Sequence, residues 1–243
     1  MSDIAGRLSV QIGSNLLYRP NGGKGLLLGG LPGAERGRVV VLGAGQAGGN
    51  ATLMAAALGA EVTVFDRNRD KLARMRALGG NVTGLHSYGE SIAEAVRGAD
   101  LLVGAILVTG QKATHLVSEA MVKTMQPGSV IVDISVDQGG CIETTRPATW
   151  DDPYYTEAGV IHFCVTNMPG AVPRTASLAV STVWRRSTAP SHLAGGGGAS
   201  FIARISPQAS SPFLPVGSFP GYEPNLANSL SSLGGSLGSC RRH

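Results

Sequence analysis

Cysteine is scarce in this chain of 243 residues. Cys141, Cys164 and Cys240 are the only three, odd in number, far apart and without a Cys-x-x-Cys pair. That argues against a disulfide framework and fits free thiols in a reducing compartment. The five histidines (His86, His115, His162, His192 and His243) are isolated, with no His-x-x-x-His or His-Glu-x-x-His spacing, so no metal site is expected. No apolar run approaches the ~18 residues of a membrane span. Asp3 and Arg7 interrupt the N-terminal stretch where a secretory leader needs an apolar core. The expectation is a cytoplasmic chain that does not enter a membrane. Charged residues are few, at 15%, and aromatic residues fewer, at 5%. The net charge is +4, but the segment from Trp184 onward sets five arginines against Glu223 alone, which leaves residues 1–183 balanced. A nucleic-acid surface is therefore not expected on the folded part.

Glycine is what the chain has in excess, 35 residues in all, and the most informative of them lie between Arg38 and Asp66. Val39 to Leu42 is a short β-branched run that reads as a strand buried on both faces. Gly43, Gly45 and Gly48 follow as G-x-G-x-x-G, then a small-residue helix, then a second strand over Glu61–Phe65 with Asp66 at its end. Gly43 allows a sharp turn, Gly45 lets a pyrophosphate approach the backbone, and Gly48 lets the helix lie close to the strand. The helix N-terminus favours an anion. Asp66 falls 18 residues beyond Gly48, where an acid reaches the ribose hydroxyls of a dinucleotide. A carboxylate there favours NAD over NADP, although Arg67 and Arg69 temper the preference. The competing reading is a glycine-rich turn in an ordinary α/β protein.

The remaining segments keep the same rhythm. Ser2 to Leu17 has helical apolar spacing with Ser2 as N-cap, and Gly25 to Gly30 reads as a loop or short strand. Helices are expected over Asp70–Leu78, Ser87–Arg97 and Thr114–Met125, and strands over Asn81–His86, Leu101–Val103, Val130–Val132 and Val160–Val165. Strands and helices alternating in this way give an α/β fold, a Rossmann-type doubly wound parallel sheet. Ligands of such sheets bind outside the carboxyl ends of the strands, where the loops 43–48, 104–111, 133–140 and 165–170 fall. Asp137 reads as either a functional acid or a turn residue, and Asp133 as a structural acceptor for loop backbone. Cys164 reads as a buried strand residue, and Lys112 and Arg174 as solvated surface. About half of residues 187–243 are Ser, Gly or Pro, with no lysine and a run of four glycines at Gly195 to Gly198. Such a segment buries too little apolar area to offset its ordering entropy, so a disordered tail is expected over 184–243.

Four stretches together resemble the NAD-binding domain of alanine dehydrogenase: Gly29 to Gly33 (GGLPG), Val41 to Gly48 (VLGAGQAG), Val132 to Cys141 (VDISVDQGGC) and Val165 to Thr175 (VTNMPGAVPRT). The last two separate the chain from the related transhydrogenase α subunit, and the resemblance runs from residue 1 to about Val180. It implies reversible NAD-dependent oxidative deamination of L-alanine to pyruvate and ammonium, in a homo-oligomer that is a hexamer in the family. It also implies an interdomain helix and linker over 1–36, ahead of an NAD-binding domain over 37–183. By the same resemblance, the glycine loop with Gln46 and Ala47 holds the pyrophosphate, and Asp66 takes the adenosine ribose with Lys71 nearby. Ser87, Ile106 and Leu107 would line the adenine side. Ile134, Ser135, Val136 and Asp137 would flank the nicotinamide, together with Val165, Thr166, Asn167 and Met168. Ser2 and Arg146 match further cofactor-contacting positions, and Asp137 matches the active-site aspartate. The family's substrate domain, with its histidine, arginine and lysine, would precede Met1. The expectation is thus a part that retains NAD binding, with a non-catalytic NAD module and a transhydrogenase-like domain as alternatives. The apolar face of residues 4–17 is expected to lack its packing partner and to drive self-association.

Overall fold

Alternating β-branched runs become one seven-stranded sheet in the computed structural model, which describes residues 1–106 and 115–187. In chain order the strands are β1 (Arg38–Leu42), β2 (Glu61–Asp66), β3 (Val82–His86), β4 (Leu101–Gly104), β5 (Val130–Asp133), β6 (Tyr154–Glu157) and β7 (Val160–Phe163). Their order across the sheet is β3-β2-β1-β4-β5-β7-β6, and every pairing is parallel except the β6–β7 hairpin. The chain reverses its direction of winding between β1 and β4, so the carboxyl ends of these two strands open a crevice. The helices are α1 (Ser2–Leu16), α2 (Gln46–Ala57), α3 (Arg69–Arg76), α4 (Gly89–Arg97), α5 (Glu119–Val122) and α6 (Pro173–Ser187).

Successive strand residues point to opposite faces, and both faces are covered. Val39, Val41, Val62, Val64, Leu101 and Val103 pack with Val10, Ala51, Ala55 and Leu72 from α1, α2 and α3. Val40, Leu42, Leu102 and Ile131 pack with Ile92, Val96 and Val122 from α4 and α5. The unbroken apolar runs Val39 to Leu42, Leu101 to Val103 and Val130 to Val132 follow from this two-sided burial.

Several expectations are corrected. Ser2 is not the N-cap of α1; Met1 is, without a side-chain hydrogen bond. Of the two readings of Gly25 to Gly30, loop or short strand, the loop holds. The helix expected over Thr114–Met125 shrinks to Glu119–Val122, because Val117 pairs with Ile142 and the Leu116 N–H donates to the Cys141 carbonyl at 2.8 Å. Strand β6 was not expected. It turns into β7 through Ala158 and Gly159, at φ 51° and 77°, the two-residue turn that suits the twist of a hairpin. The apolar face of α1 is not left without a partner. Ala5, Gly6, Val10, Gly13 and Leu16 are buried within the chain, against α2, β4 and β5. Finally, α6 runs through Trp184, where the tail was expected to begin. The expectation of disorder for the remainder, like those for Leu107 and Lys112, lies outside the described residues.

Candidate functional site

The turn after β1 is built by three glycines with three different jobs. Gly43 adopts φ 96°, and its N–H donates to the Phe65 carbonyl at 2.7 Å. A Cβ on Gly48 would lie 1.7 Å from the Gly43 carbonyl oxygen, so the first turn of α2 rests directly on the end of β1. A Cβ on Gly45 would meet nothing within 4 Å. No protein contact demands glycine there, and the space in front of that backbone is open. Gly45 is the N-cap of α2 and offers no side-chain acceptor to the first-turn N–H groups of Gln46, Ala47 and Gly48. Those donors and the helix dipole face the opening. The Gln46 amide donates to the Asp3 carboxylate, and Asn50 donates to the same oxygen at 2.9 Å, which ties α1 to α2.

Asp66 is fixed to this turn. Its Oδ2 accepts from the Ala44 N–H at 2.8 Å, and its Oδ1 from the Asn68 N–H at 2.8 Å. Lys71 Nζ lies 3.9 Å from Oδ2, held by the first turn of α3, which Asn68 caps. Ser87 follows β3, whose His86 is the ladder partner of Asp66.

On the other side of the crevice lies a cavity of about 240 Å³. Ile134, Ser135 and Asp137 enter it from the loop after β5, and Val165, Asn167 and Met168 from the segment after β7. Ser2 of α1 lines it too, and so does Ile106 after β4, which was expected on the adenine side and instead shares this cavity with Ile134. Asn167 holds a left-handed backbone at φ 55°, a conformation Asn tolerates better than most residues. Asp137 is exposed and makes no hydrogen bond or ion pair with the described residues. Val136 is buried beside the cavity and Thr166 is exposed; neither lines it. Arg146 is outside the lining too. Its guanidinium lies 3.7 Å from the centre of the Tyr155 ring and 3.4 Å from Glu157 Oε2. Met1, Ala5, Ala105, Gln138 and Pro169 line the cavity without having been singled out. For Ala105, Gln138 and Pro169 a signal existed, since they fall in the loops 104–111, 133–140 and 165–170 at the carboxyl ends of the strands.

Behind the cavity two buried polar groups organise the loops. Asp133 is fully buried and accepts from the Ser135 N–H at 2.9 Å, the Ser135 hydroxyl at 2.7 Å, the Cys141 N–H at 3.3 Å and the Thr145 hydroxyl at 2.8 Å. Burial pushes its carboxyl up, and the four donors oppose that shift. This is the structural role expected for Asp133. Farther along the sheet, His162 is buried with Nδ1 at 2.9 Å from the Val160 carbonyl and Nε2 at 2.8 Å from the Thr144 hydroxyl. A carbonyl can only accept, so Nδ1 carries the proton and Nε2 accepts from Thr144. Burial lowers the His162 pKa, in keeping with a neutral ring. Cys164 is buried, as expected, and burial pushes its thiol up to about 12. Among the described residues no group of three or more His, Cys, Asp or Glu is placed to hold a metal ion, and no helix is long and apolar enough to cross a membrane.

Residues 9–189 match the family described as "Alanine dehydrogenase/PNT, C-terminal domain". Over 185 residues the chain is 54% identical to an alanine dehydrogenase of Geobacillus stearothermophilus, covering 75% of this chain and 50% of that protein. A solved L-alanine dehydrogenase is similar at a TM-score of 0.73 and 51% identity, over 75% of this chain and 51% of that one. The solved transhydrogenase of Sinorhizobium meliloti is more distant, at a TM-score of 0.64 and 25% identity over 73% of this chain and 51% of that one. The chain spans about half the length of the curated relatives it matches.

Proposed function

This chain belongs to the alanine dehydrogenase/PNT C-terminal domain family, and from that premise we propose that it is the NAD-holding part of an enzyme that oxidatively deaminates L-alanine to pyruvate and ammonium. The family is one that binds NAD. The observation that carries the reading is the bond from the Ala44 N–H to Asp66, which sets the acid beside the open face of the glycine turn. The empty space at Gly45 and the uncapped N-terminus of α2 fit a pyrophosphate, with Gln46 and Ala47 in the contacting turn. Asp66, with Lys71 beside it, would accept from the adenosine ribose and repel a 2′-phosphate. Ser87, Ile106 and Leu107 are assigned to the adenine side by resemblance, although Ile106 lines the cavity with Ile134.

The nicotinamide half would occupy the cavity after β5 and β7. Ile134, Ser135, Val165, Asn167, Met168 and Ser2 bound it, with Val136, Thr166 and Arg146 in supporting positions. Bound NAD would supply the acceptor for the hydride that leaves the α-carbon of alanine. The chain's own contribution is to hold and orient, which can lower a barrier by ~7–11 kcal/mol when both reactants are fixed. Asp137, exposed at the cavity with no described partner, is the group to order polar atoms of the substrate and move a proton. Assembly into a homo-oligomer, hexameric by resemblance, belongs to the same proposal and is read by light scattering.

The test is a fluorescence titration with NADH, followed by an assay of alanine-dependent NAD reduction. Binding with turnover that falls in Asp137→Asn is the expected result. No signal from either NAD or NADH would end the proposal. A second reading is a module that binds NAD without turnover, since Asp137 is the only ionisable side chain that lines the described cavity. NADH binding without alanine-dependent reduction would select it. A transhydrogenase-type domain is the weakest reading, given 25% identity against 51%.

A further inference from the structure

We propose that Asp133, which does not itself line the cavity, is the positioning residue for its nicotinamide-side wall. This rests on the NAD reading above. The chain leaves β5 at Asp133, bulges into the cavity with Ile134, Ser135, Asp137 and Gln138, and comes back to the same carboxylate at Cys141 and Thr145. One oxygen holds the departing end, through the Ser135 N–H at 2.9 Å and its hydroxyl at 2.7 Å. The other holds the returning end, through the Cys141 N–H at 3.3 Å and the Thr145 hydroxyl at 2.8 Å. The Thr145 hydroxyl also lies 2.8 Å from the Ile142 carbonyl. With a single proton to give, it serves the carboxylate as the stronger acceptor.

The surroundings are shaped for this carboxylate. A Cβ on Gly104 would come within 2.8 Å of Oδ1, and a Cβ on Gly140 within 2.8 Å of Oδ2. Two glycines on separate segments thus leave room for one buried acid. Burying a carboxylate is costly unless its lone pairs are filled, and here four donors converge on it. An apolar side chain could fill the space, but it could not tie both ends of the loop. Within the loop the Gln138 and Gly140 N–H groups donate to the Ser135 carbonyl at 2.9 and 3.1 Å. Fixing Ser135 therefore fixes the short turn that carries Asp137.

A dinucleotide crosses from the β2 side of such a sheet to the β5 side. If Asp133 positions only the β5 side, its removal should weaken ligands that reach that side and spare those that do not. Calorimetry on the whole chain compares NADH with ADP-ribose, which has the same adenosine, pyrophosphate and second ribose but no nicotinamide. Asp133→Asn is expected to weaken NADH about tenfold and to leave ADP-ribose within about twofold. Thr145→Val, which keeps the acid, is expected to weaken NADH about threefold, and Thr145→Ser to restore it. Should Asp133→Asn fail to fold, the two Thr145 variants decide the matter. Equal weakening of both ligands, or no change in either, overturns the positioning role. If the unmodified chain binds neither ligand, the NAD reading falls first and this role falls with it.

Discussion

At the ends of β1 and β2 the candidate site is made of backbone, with Gly43 turned to φ 96°, Gly48 against its carbonyl, and one acid bonded to the N–H of Ala44. At the ends of β5 and β7 it is made of side chains instead. There Asp133 gathers donors from Ser135, Cys141 and Thr145, and farther along the sheet, outside the cavity lining, His162 is held between Val160 and Thr144. The first region is local, since its contacts join residues on adjacent strands through one short turn. The second is held by two sets of buried polar groups, one around Asp133 and one around His162. A backbone site is sensitive to the volume added at one position. A buried polar site is sensitive to the loss of a single proton donor or acceptor.

This contrast can be broken, starting with the largest expected effect. Gly48→Ala drives a Cβ to 1.7 Å from the Gly43 carbonyl and should cost about 3 kcal/mol in stability. A urea denaturation midpoint equal to that of the parent chain would contradict the tight turn. Asp66→Ala removes the acceptor of the Ala44 N–H and the repulsion of a 2′-phosphate. NADH binding should weaken about thirtyfold, or about 2 kcal/mol, and NADPH binding by much less; an equal loss for both would remove the discriminating role. Gly45→Ala is the counterpart of the Gly48 change. Its Cβ meets no protein atom, so stability should move by less than about 1 kcal/mol while NADH affinity falls about tenfold. If stability falls instead, the open space is not a ligand cradle.

The smallest effect comes from pH, and it belongs to the β5–β7 side. Burial depresses the His162 pKa below its ordinary 6.5. The unfolded chain therefore binds a proton at a higher pH than the folded one does. Stability contributed by neutral His162 is complete above 6.5 and is lost as pH falls through that value, at no more than about 1.4 kcal/mol per pH unit. Thr144, the Val160 carbonyl and the Tyr155 ring face the imidazole, with Glu157 favouring its charged form and Arg146 opposing it. Thermal melts from pH 7 to 5.5 should show the loss, and a His162→Gln variant should flatten it. A parallel slope in the variant would assign the loss to another group.

The same contrast explains what could be read from the sequence. Val39 to Leu42, Leu101 to Val103 and Val130 to Val132 announce themselves because each is buried on two faces and carries no polar residue. The glycines and Asp66 were legible because their roles depend on spacing along a single strand–helix–strand unit. Strand β6 was hidden because its turn places Ala158, rather than Asn or Gly, at φ 51°. The short α5 was hidden because the bridge from Val117 to Ile142 removes residues that local propensity would leave helical. Met1 and Ala5 gave no sign of lining a cavity, since that depends on α1 crossing α2 forty residues away. For Asp133 the sequence offered a structural acceptor for loop backbone. Its four donors, spread to Thr145, became visible only in three dimensions.

The crossing of α1 and α2 has a dynamic consequence. A Cβ on Gly6 would stand 2.1 Å from the Ala47 carbonyl, so the two helices meet backbone to backbone within the first turn of α2. Charge settling on that turn would stiffen the neighbouring helix as well, although most of α1 never meets the ligand. The amides of Leu17 and Tyr18 at its far end, bonded to the Gly13 and Asn15 carbonyls at 3.1 Å, should then exchange with deuterium more slowly once nucleotide is bound. Helix α1 would act as a strut that senses occupancy at one end and carries it along its length.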